Sequence, residues 1–293
     1  MKGPRAERWL VTGAGGQLGR SLLALAPSLG IDAVGRTHEE LDIVDAVAVA
    51  HALDALAPQV VLNCAAFTHV DRCEERSQEA MRVNGEGPGI LARACVQRAL
   101  LIHISTEYVF DGESHRPIDE SAKPSPRSAY GRSKLAGEEA VREAQGEHLI
   151  VRTQWVFGPG PCFVRTILAA ARRGETLRVV EDQIGRPTWT ASLARALVRA
   201  AELGARGTLH LACEGVASWY DLARAALIEA EKLGLDPTVE VRPAATAEVP
   251  RPAVRPAYAV LALERARSLG IEMPYWRDAL VDYLSAEREG RDA

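Results

Sequence analysis

The chain has 293 residues, 47% hydrophobic and 25% charged, with a formal net charge of −4 and a pI near 6.0. That is the make-up of a globular protein with enough chain for one large core or two modest ones. Acids outnumber bases and the arginines are scattered among them, which argues against a nucleic-acid binder, and no apolar run approaches the roughly 20 residues needed to cross a bilayer.

In chain order, RWLVTG reads as the first strand, entered directly from the N-terminus without the apolar core of a signal peptide, so a cytoplasmic location and no membrane association are expected. Five cysteines without CxxC spacing fit reduced thiols and match neither a disulfide framework nor a structural zinc site. After the first strand come a helix over residues 17–26, a strand IDAVG, a short third strand before Asp42, and a helix over 44–56. QVVLNCAA, a helix over 77–98, LLIHIST, a helix over 129–143 and HLIVRT continue the alternation. Apolar runs bounded by turns and separated by amphipathic stretches long enough for crossovers predict βαβ units. The expected fold is therefore α/β, a Rossmann-type doubly wound parallel sheet. Past Val156 the punctuation turns to Pro and Gly (FGPGPCF, VRPAATAEVPRPAVRP), which predicts a smaller mixed α/β substrate region on the C-terminal side. Residues 1–155 are assigned to dinucleotide binding, with 190–213 returning to that unit, and residues 156–189 and 214–293 to substrate.

VTGAGGQLG places Gly13, Gly16 and Gly19, with Gln17 and Leu18 between them, where the first strand meets the first helix. Glycines there let the backbone approach a pyrophosphate whose charge meets the helix N-terminus. An ordinary tight turn is the bland alternative. The second strand ends in Arg36 rather than the acid that holds the ribose hydroxyls of NADH, which suits a 2′-phosphate and predicts NADPH over NADH. Asp42 and Ile43 in ELDIVD are candidates for the adenine end.

SAYGRSKLAGEE sets Lys134 four residues after Tyr130 on a helical pattern, so phenol and ammonium share a face. Only four of the 35 basic residues are lysine, which marks Lys134 out. A phenol is a poor acid or base near pH 7, and a neighbouring cation stabilises its phenolate. HISTEYVFDG ends a strand with Thr106, beside Glu107 and Tyr108, where ligands of doubly wound sheets bind. A hydroxyl there would face a substrate oxygen, although such a pair is by itself a common cap feature.

Together with LDIVD, VLNCAAFTHVDRCE, VNGEGPGILA, VRTQWVFGPG, VVEDQIGRPT and RPAYAVLALERA, these motifs resemble the extended short-chain dehydrogenase/reductases, and specifically their sugar-nucleotide reductase branch. The resemblance covers nearly the whole chain. It implies reduction of the C4 ketone of a dTDP-sugar, dTDP-4-dehydro-L-rhamnose, by NADPH or NADH. It further implies that Tyr130 protonates the nascent alkoxide, Lys134 holds the nicotinamide ribose and Thr106 binds the carbonyl oxygen. Asn63, Ala65 and Ala66 would line the adenosine-to-nicotinamide track and Trp155 the substrate pocket; Gln183 and Arg186, in a Gly/Pro loop, are read as contacts to the nucleotide of the substrate or as stabilisers of a turn, and Asn84 as the match of a helix asparagine or as a buried amide bonding backbone. Glu107 stands where the family usually has aspartate, the stretch before Phe163 lacks the usual asparagine, and Ala259 replaces a usual serine. The resemblance offers a homodimer as the assembly and magnesium at its contact, and no carboxylate cluster in the sequence assigns that metal a site. An epimerase or dehydratase of the same fold, and a nonenzymatic regulatory subunit, are the alternatives.

Overall fold

The computed structural model describes residues 7–235 and 239–290. Six parallel strands form the central sheet: β1 (Arg8–Thr12), β2 (Asp32–Arg36), β3 (Val60–Asn63), β4 (Leu100–Thr106), β5 (His148–Thr153) and, last in this sheet, Gly207–His210, which takes the label β10. Short pairs lie outside it: β6 (Val156–Phe157) with β9 (Thr188–Trp189), β7 (Leu177–Val180) with β12 (Val241–Ala244), and β8 (Ile184–Gly185) with β11 (Ala217–Ser218). The sheet order β10-β5-β4-β3-β1-β2 reverses between β1 and β3, the crevice where doubly wound sheets bind ligands. No third strand precedes Asp42, so LLIHIST is the fourth strand and HLIVRT the fifth. Residues 41–45 form a turn there, with Asp45 N–H bonded to Asp42 O at 3.1 Å and the Leu41 and Ile43 side chains buried.

The eleven α-helices of the described residues follow in chain order. They are α1 (Gln17–Leu25), α2 (Ala46–Leu56), α3 (Val70–Glu75), α4 (Ser77–Met81), α5 (Gly87–Cys95), α6 (Ala129–Glu143), α7 (Phe163–Arg172), α8 (Thr190–Glu202), α9 (Trp219–Lys232), α10 (Glu264–Ser268) and α11 (Trp276–Arg288). Helix α2 starts later than its apolar pattern suggests because the Asp45 carboxylate caps Val47 N and Ala48 N. The predicted helix over 77–98 is α4 and α5 joined through a π-helical turn, Arg82–Glu86, and it ends at Cys95.

Alternating strand residues reach opposite faces, as pleating requires. Trp9, Val11, Leu62, Ile102 and Val151 join a core with Leu18, Leu22, Leu193 and Leu197 of α1 and α8. Leu10, Val61, Leu101 and Ile150 join the other with Val49, Leu53 and Leu91 of α2 and α5. The first of these cores runs on through α7, α9 and α11 to Ala286, so the C-terminal elements pack on the sheet unit without a break. Among the described residues no helix is long and apolar enough to cross a membrane.

Candidate active site

Gly13 begins the first turn with φ +65°, and a Cβ on it would lie 2.6 Å from Ala65 N and 2.7 Å from the Cys64 carbonyl carbon. Glycine alone lets β1 turn beneath the loop that follows β3. A Cβ on Gly19 would meet Gly13 O at 2.6 Å, so α1 packs directly on the turn. Gly16 caps α1 with no side-chain acceptor and no acid in the first turn, which leaves the helix N–H groups and dipole open to an anion. Gln17 donates through Nε2 to Pro161 O at 3.0 Å while its buried Oε1 lacks a protein partner, and Leu18 belongs to the core. Arg20 Nε holds Gly15 O at 2.8 Å, and Arg36 Nη1 holds Gly35 O at 3.0 Å, so two cations flank this turn. The donor set fits a dinucleotide pyrophosphate with a further phosphate beside it. Asp42 instead caps its own turn, accepting from Val44 N at 3.2 Å, and Ile43 is buried in the core.

At the switch point Asn63 ties three strands together. Its Oδ1 accepts from Thr12 Oγ1 at 2.8 Å and Ala65 N at 3.2 Å, and its Nδ2 meets His103 Nδ1 at 3.0 Å. Ala65 is thereby set over the glycine turn, with Ala66 next to it in the chain. Asn84, in the π turn, accepts from Phe67 N at 2.7 Å and donates to Phe67 O and Ser133 Oγ, both at 3.0 Å. It pins the same loop to α6, the structural role of a buried amide rather than a ligand contact.

Helix α6 begins at the Ser128 cap, whose hydroxyl accepts from Gly131 N at 3.0 Å. A Cβ on Gly131 would meet Tyr108 O at 2.2 Å, so glycine there lets the helix close on the turn after β4. That closure brings Tyr130 edge-on to Tyr108, with ring centroids 5.4 Å apart, and close enough to the Thr106 hydroxyl for that group to act on its phenol. Lys134 is 2% exposed and donates to Ile104 O of β4 at 2.6 Å. Thr106 Oγ1 donates to Glu107 Oε2 at 2.7 Å and accepts from Tyr108 N at 3.2 Å. The three residues expected to act together do converge at the C-terminal end of β4.

Their acidities differ from the simple phenolate picture. Burial, then the Glu107 carboxylate, pushes the Tyr130 phenol above its ordinary value. Burial also lowers Lys134 to about 8, with Glu138 opposing the fall, and raises the Glu107 carboxyl to about 7. In the chain itself Tyr130 is held as a proton donor, since the desolvated site penalises every charged form.

Beside this cluster Glu107, Tyr108, Gln154, Trp155, Gln183 and Trp219 line a cleft with room for about one water molecule. Trp155 has φ 48°, a strained backbone state for a bulky residue, and its indole stacks on Trp219 with centroids 3.8 Å apart. Gln183 reaches the cleft while Nε2 donates to Thr246 Oγ1 at 3.0 Å. Arg186 does not join it. Its Nε and Nη1 donate to Leu261 O and Gly215 O, each at 2.9 Å, which makes it a brace between loops.

Three features escaped the reading of the sequence. Glu138, one turn past Lys134, accepts from Arg152 Nε and Nη2 at 2.8 and 2.7 Å, from Ser105 Oγ at 2.6 Å and from Arg142 at 2.8 Å. Its spacing of four from Lys134 and eight from Tyr130 was the available signal. Asp71 binds Arg255 through both oxygens, at 2.9 and 2.8 Å, and also accepts from Ala253 N at 3.2 Å, strapping residues 253–255 to α3. Trp219 carried no motif. Among the described residues no group of three or more His, Cys, Asp or Glu gathers as a metal site.

Residues 7–289 match the family described as the RmlD substrate binding domain. The chain belongs to that family. Relatives of the RmlD-type chain include a dTDP-4-dehydrorhamnose reductase of Mycobacterium tuberculosis, 43% identical over 291 residues that cover 96% of this chain and 94% of the relative. Another is a dTDP-4-keto-6-deoxy-D-glucose reductase of Streptomyces niveus, 42% identical over 278 residues, covering 94% and 95%. The crystal structure of a dTDP-4-dehydrorhamnose reductase from Bacillus anthracis in complex with NADP superposes with a TM-score of 0.90 at 33% identity, over 96% of this chain and 99% of that one.

Proposed function

We propose that this RmlD-family chain is an NAD(P)H-dependent oxidoreductase that reduces the C4 ketone of dTDP-4-dehydro-L-rhamnose to dTDP-L-rhamnose, with NADPH preferred. The observation that carries the reading is the convergence of Thr106, Tyr130 and Lys134 beside the glycine turn, at the switch point of the sheet. The nicotinamide dinucleotide supplies the hydride when bound. Gly13, Gly16 and Gly19 with the α1 N-terminus hold its pyrophosphate, Arg36 and Arg20 its 2′-phosphate, and Asn63, Ala65 and Ala66 its path toward β4. Tyr130 gives its phenolic proton to the former ketone oxygen, and its raised pKa keeps that proton in place until the oxygen becomes basic. Lys134 holds the ribose, and Thr106 positions the oxygen.

The sugar is received between Glu107, Tyr108, Trp155 and Gln183, whose walls must part from the one-water gap between them to admit it, and Arg186 supports the loop that carries Gln183. In the same reading residues 1–155 with 190–213 serve the cofactor, and residues 156–189 and 214–293 serve the sugar nucleotide. The Streptomyces niveus relative is named for a different 4-keto-6-deoxyhexose on the same nucleotide, so that sugar is the second candidate substrate. NADPH oxidation by the purified chain with each dTDP-ketosugar in turn tests both. Turnover that depends on dTDP-4-dehydro-L-rhamnose supports the proposal. Turnover with the other sugar alone moves the substrate, and tightly held NAD with no net oxidation points instead to an epimerase.

A further inference from the structure

The Thr106 hydroxyl has one proton to give, and in this chain that proton goes to Glu107 Oε2 at 2.7 Å while Tyr108 N occupies a lone pair at 3.2 Å. A ketone oxygen only accepts, so it has no donor in Thr106 while Glu107 is ionised. The Glu107 side chain belongs to a residue 4% exposed, and no cation is among the groups that set its acidity. Helix α6 presents Tyr130 to it, its own turn presents Tyr108, and the cleft wall adds Gln154 and Gln183. The Asp71 and Arg255 pair acts on Tyr108. Lys134 is tied to Ile104 O and interacts with Glu138. A carboxyl in such company keeps its proton readily, and burial lifts it to about 7 against the pull of Thr106 and its own backbone N–H.

We propose that Glu107 is a protonation-controlled positioning residue: its neutral carboxyl donates to Thr106 Oγ1 and so turns the Thr106 proton toward the ketone oxygen of the substrate. The inference rests on the proposed ketone reduction and deepens it. In the acid form Glu107 O–H donates to Thr106, Thr106 O–H donates to the ketone oxygen, and both protons stay on their own oxygens. The proton that leaves is that of Tyr130, which bonds to the same oxygen as hydride arrives at C4. Ionised Glu107 opposes this twice, by holding the Thr106 proton and by making Tyr130 a weaker acid through its charge.

The test is the pH profile of kcat/KM for NADPH-dependent reduction of dTDP-4-dehydro-L-rhamnose by the wild type, Glu107→Gln and Glu107→Ala. Glutamine offers an amide N–H to Thr106 at every pH. The wild type should lose about tenfold per pH unit above about 7, as a single ionisation dictates. Glu107→Gln should run flat through pH 7, leaving the alkaline limb of Lys134 near 8. Glu107→Ala should be lower throughout. A limb near 7 that persists in Glu107→Gln overturns the inference, as does a Glu107→Gln protein that binds NADPH and keeps the wild-type near-UV circular dichroism yet is inactive. If the wild type oxidises no NADPH with this sugar, the proposed function fails and the inference falls with it. An active wild type with an unaltered profile in Glu107→Gln sinks the inference alone.

Discussion

Two glutamates are buried within a few residues of the same strand end, and the protein treats them oppositely. Glu138 is fully enclosed, yet its carboxyl is held below the ordinary range: burial is the largest influence and acts upward, but Arg152, Ser105 and Arg142 together outweigh it. Glu107 is nearly as buried and has a hydroxyl for its side-chain partner, so its carboxyl rises to about 7. Strand alternation makes the difference, since Ser105 points to the arginine side of β4 and Thr106 to the phenol side. Burial alone does not fix a charge; the partners supplied with it do. The framework sits where the buried carboxylate meets arginines, and the chemistry where it meets none.

Breaking the paired side should have the largest effect on stability. Glu138→Ala leaves Arg152 buried against Phe110 without its carboxylate and should cost about 3–5 kcal/mol in urea unfolding, while adding Arg152→Met should recover a good part of it. A loss within error would remove the pair from the framework. The open side predicts a pH signature. The folded pKa of Glu107, about 7, lies above the 4.5 of a free glutamate, so its contribution favours folding below about 4.5 and is lost as pH rises through 7. Relative to Glu107→Gln, the wild type should therefore weaken by on the order of 3 kcal/mol between pH 4.5 and 7.5. Glu138 runs the other way, present above 4.5 and lost as pH falls through its lowered value. A constant difference between wild type and Glu107→Gln across that range would contradict the contrast.

Smaller effects are expected at the edges of the site. Arg36→Asp should lower the ratio of NADPH to NADH efficiency by roughly tenfold or more, the worth of a charge-assisted contact, and an unchanged ratio would remove Arg36 from 2′-phosphate binding. Asp71→Asn weakens a partly exposed pair and should shift stability by less than about 1 kcal/mol, while raising KM for the sugar nucleotide several-fold if the 253–255 strap shapes the cleft.

The sheet was legible because parallel strands buried on both faces read as continuous apolar runs, and because the glycine turn has few other uses. Tyr130 and Lys134 were legible through helical spacing. The expected strand before Asp42 failed because Leu41 and Ile43 bury their side chains from a turn, where an apolar pair mimics a strand. The single helix over 77–98 failed because a π turn has no periodic signature until Asn84 finds Phe67. For Arg186 the sequence left contact with the nucleotide and support of a turn both open, because the two carbonyls its guanidinium meets lie 29 and 75 residues away. Asp71 and Arg255 meet across 184 residues, a contact no local pattern could show.

The most direct test of the account is NADPH oxidation with dTDP-4-dehydro-L-rhamnose by the wild type and Tyr130→Phe, with NADPH binding measured on both. Tyr130 as proton donor predicts intact binding and a fall in kcat of about 10²–10⁴-fold in the variant. A Tyr130→Phe protein that turns over at the wild-type rate would contradict the assignment of the reductive centre.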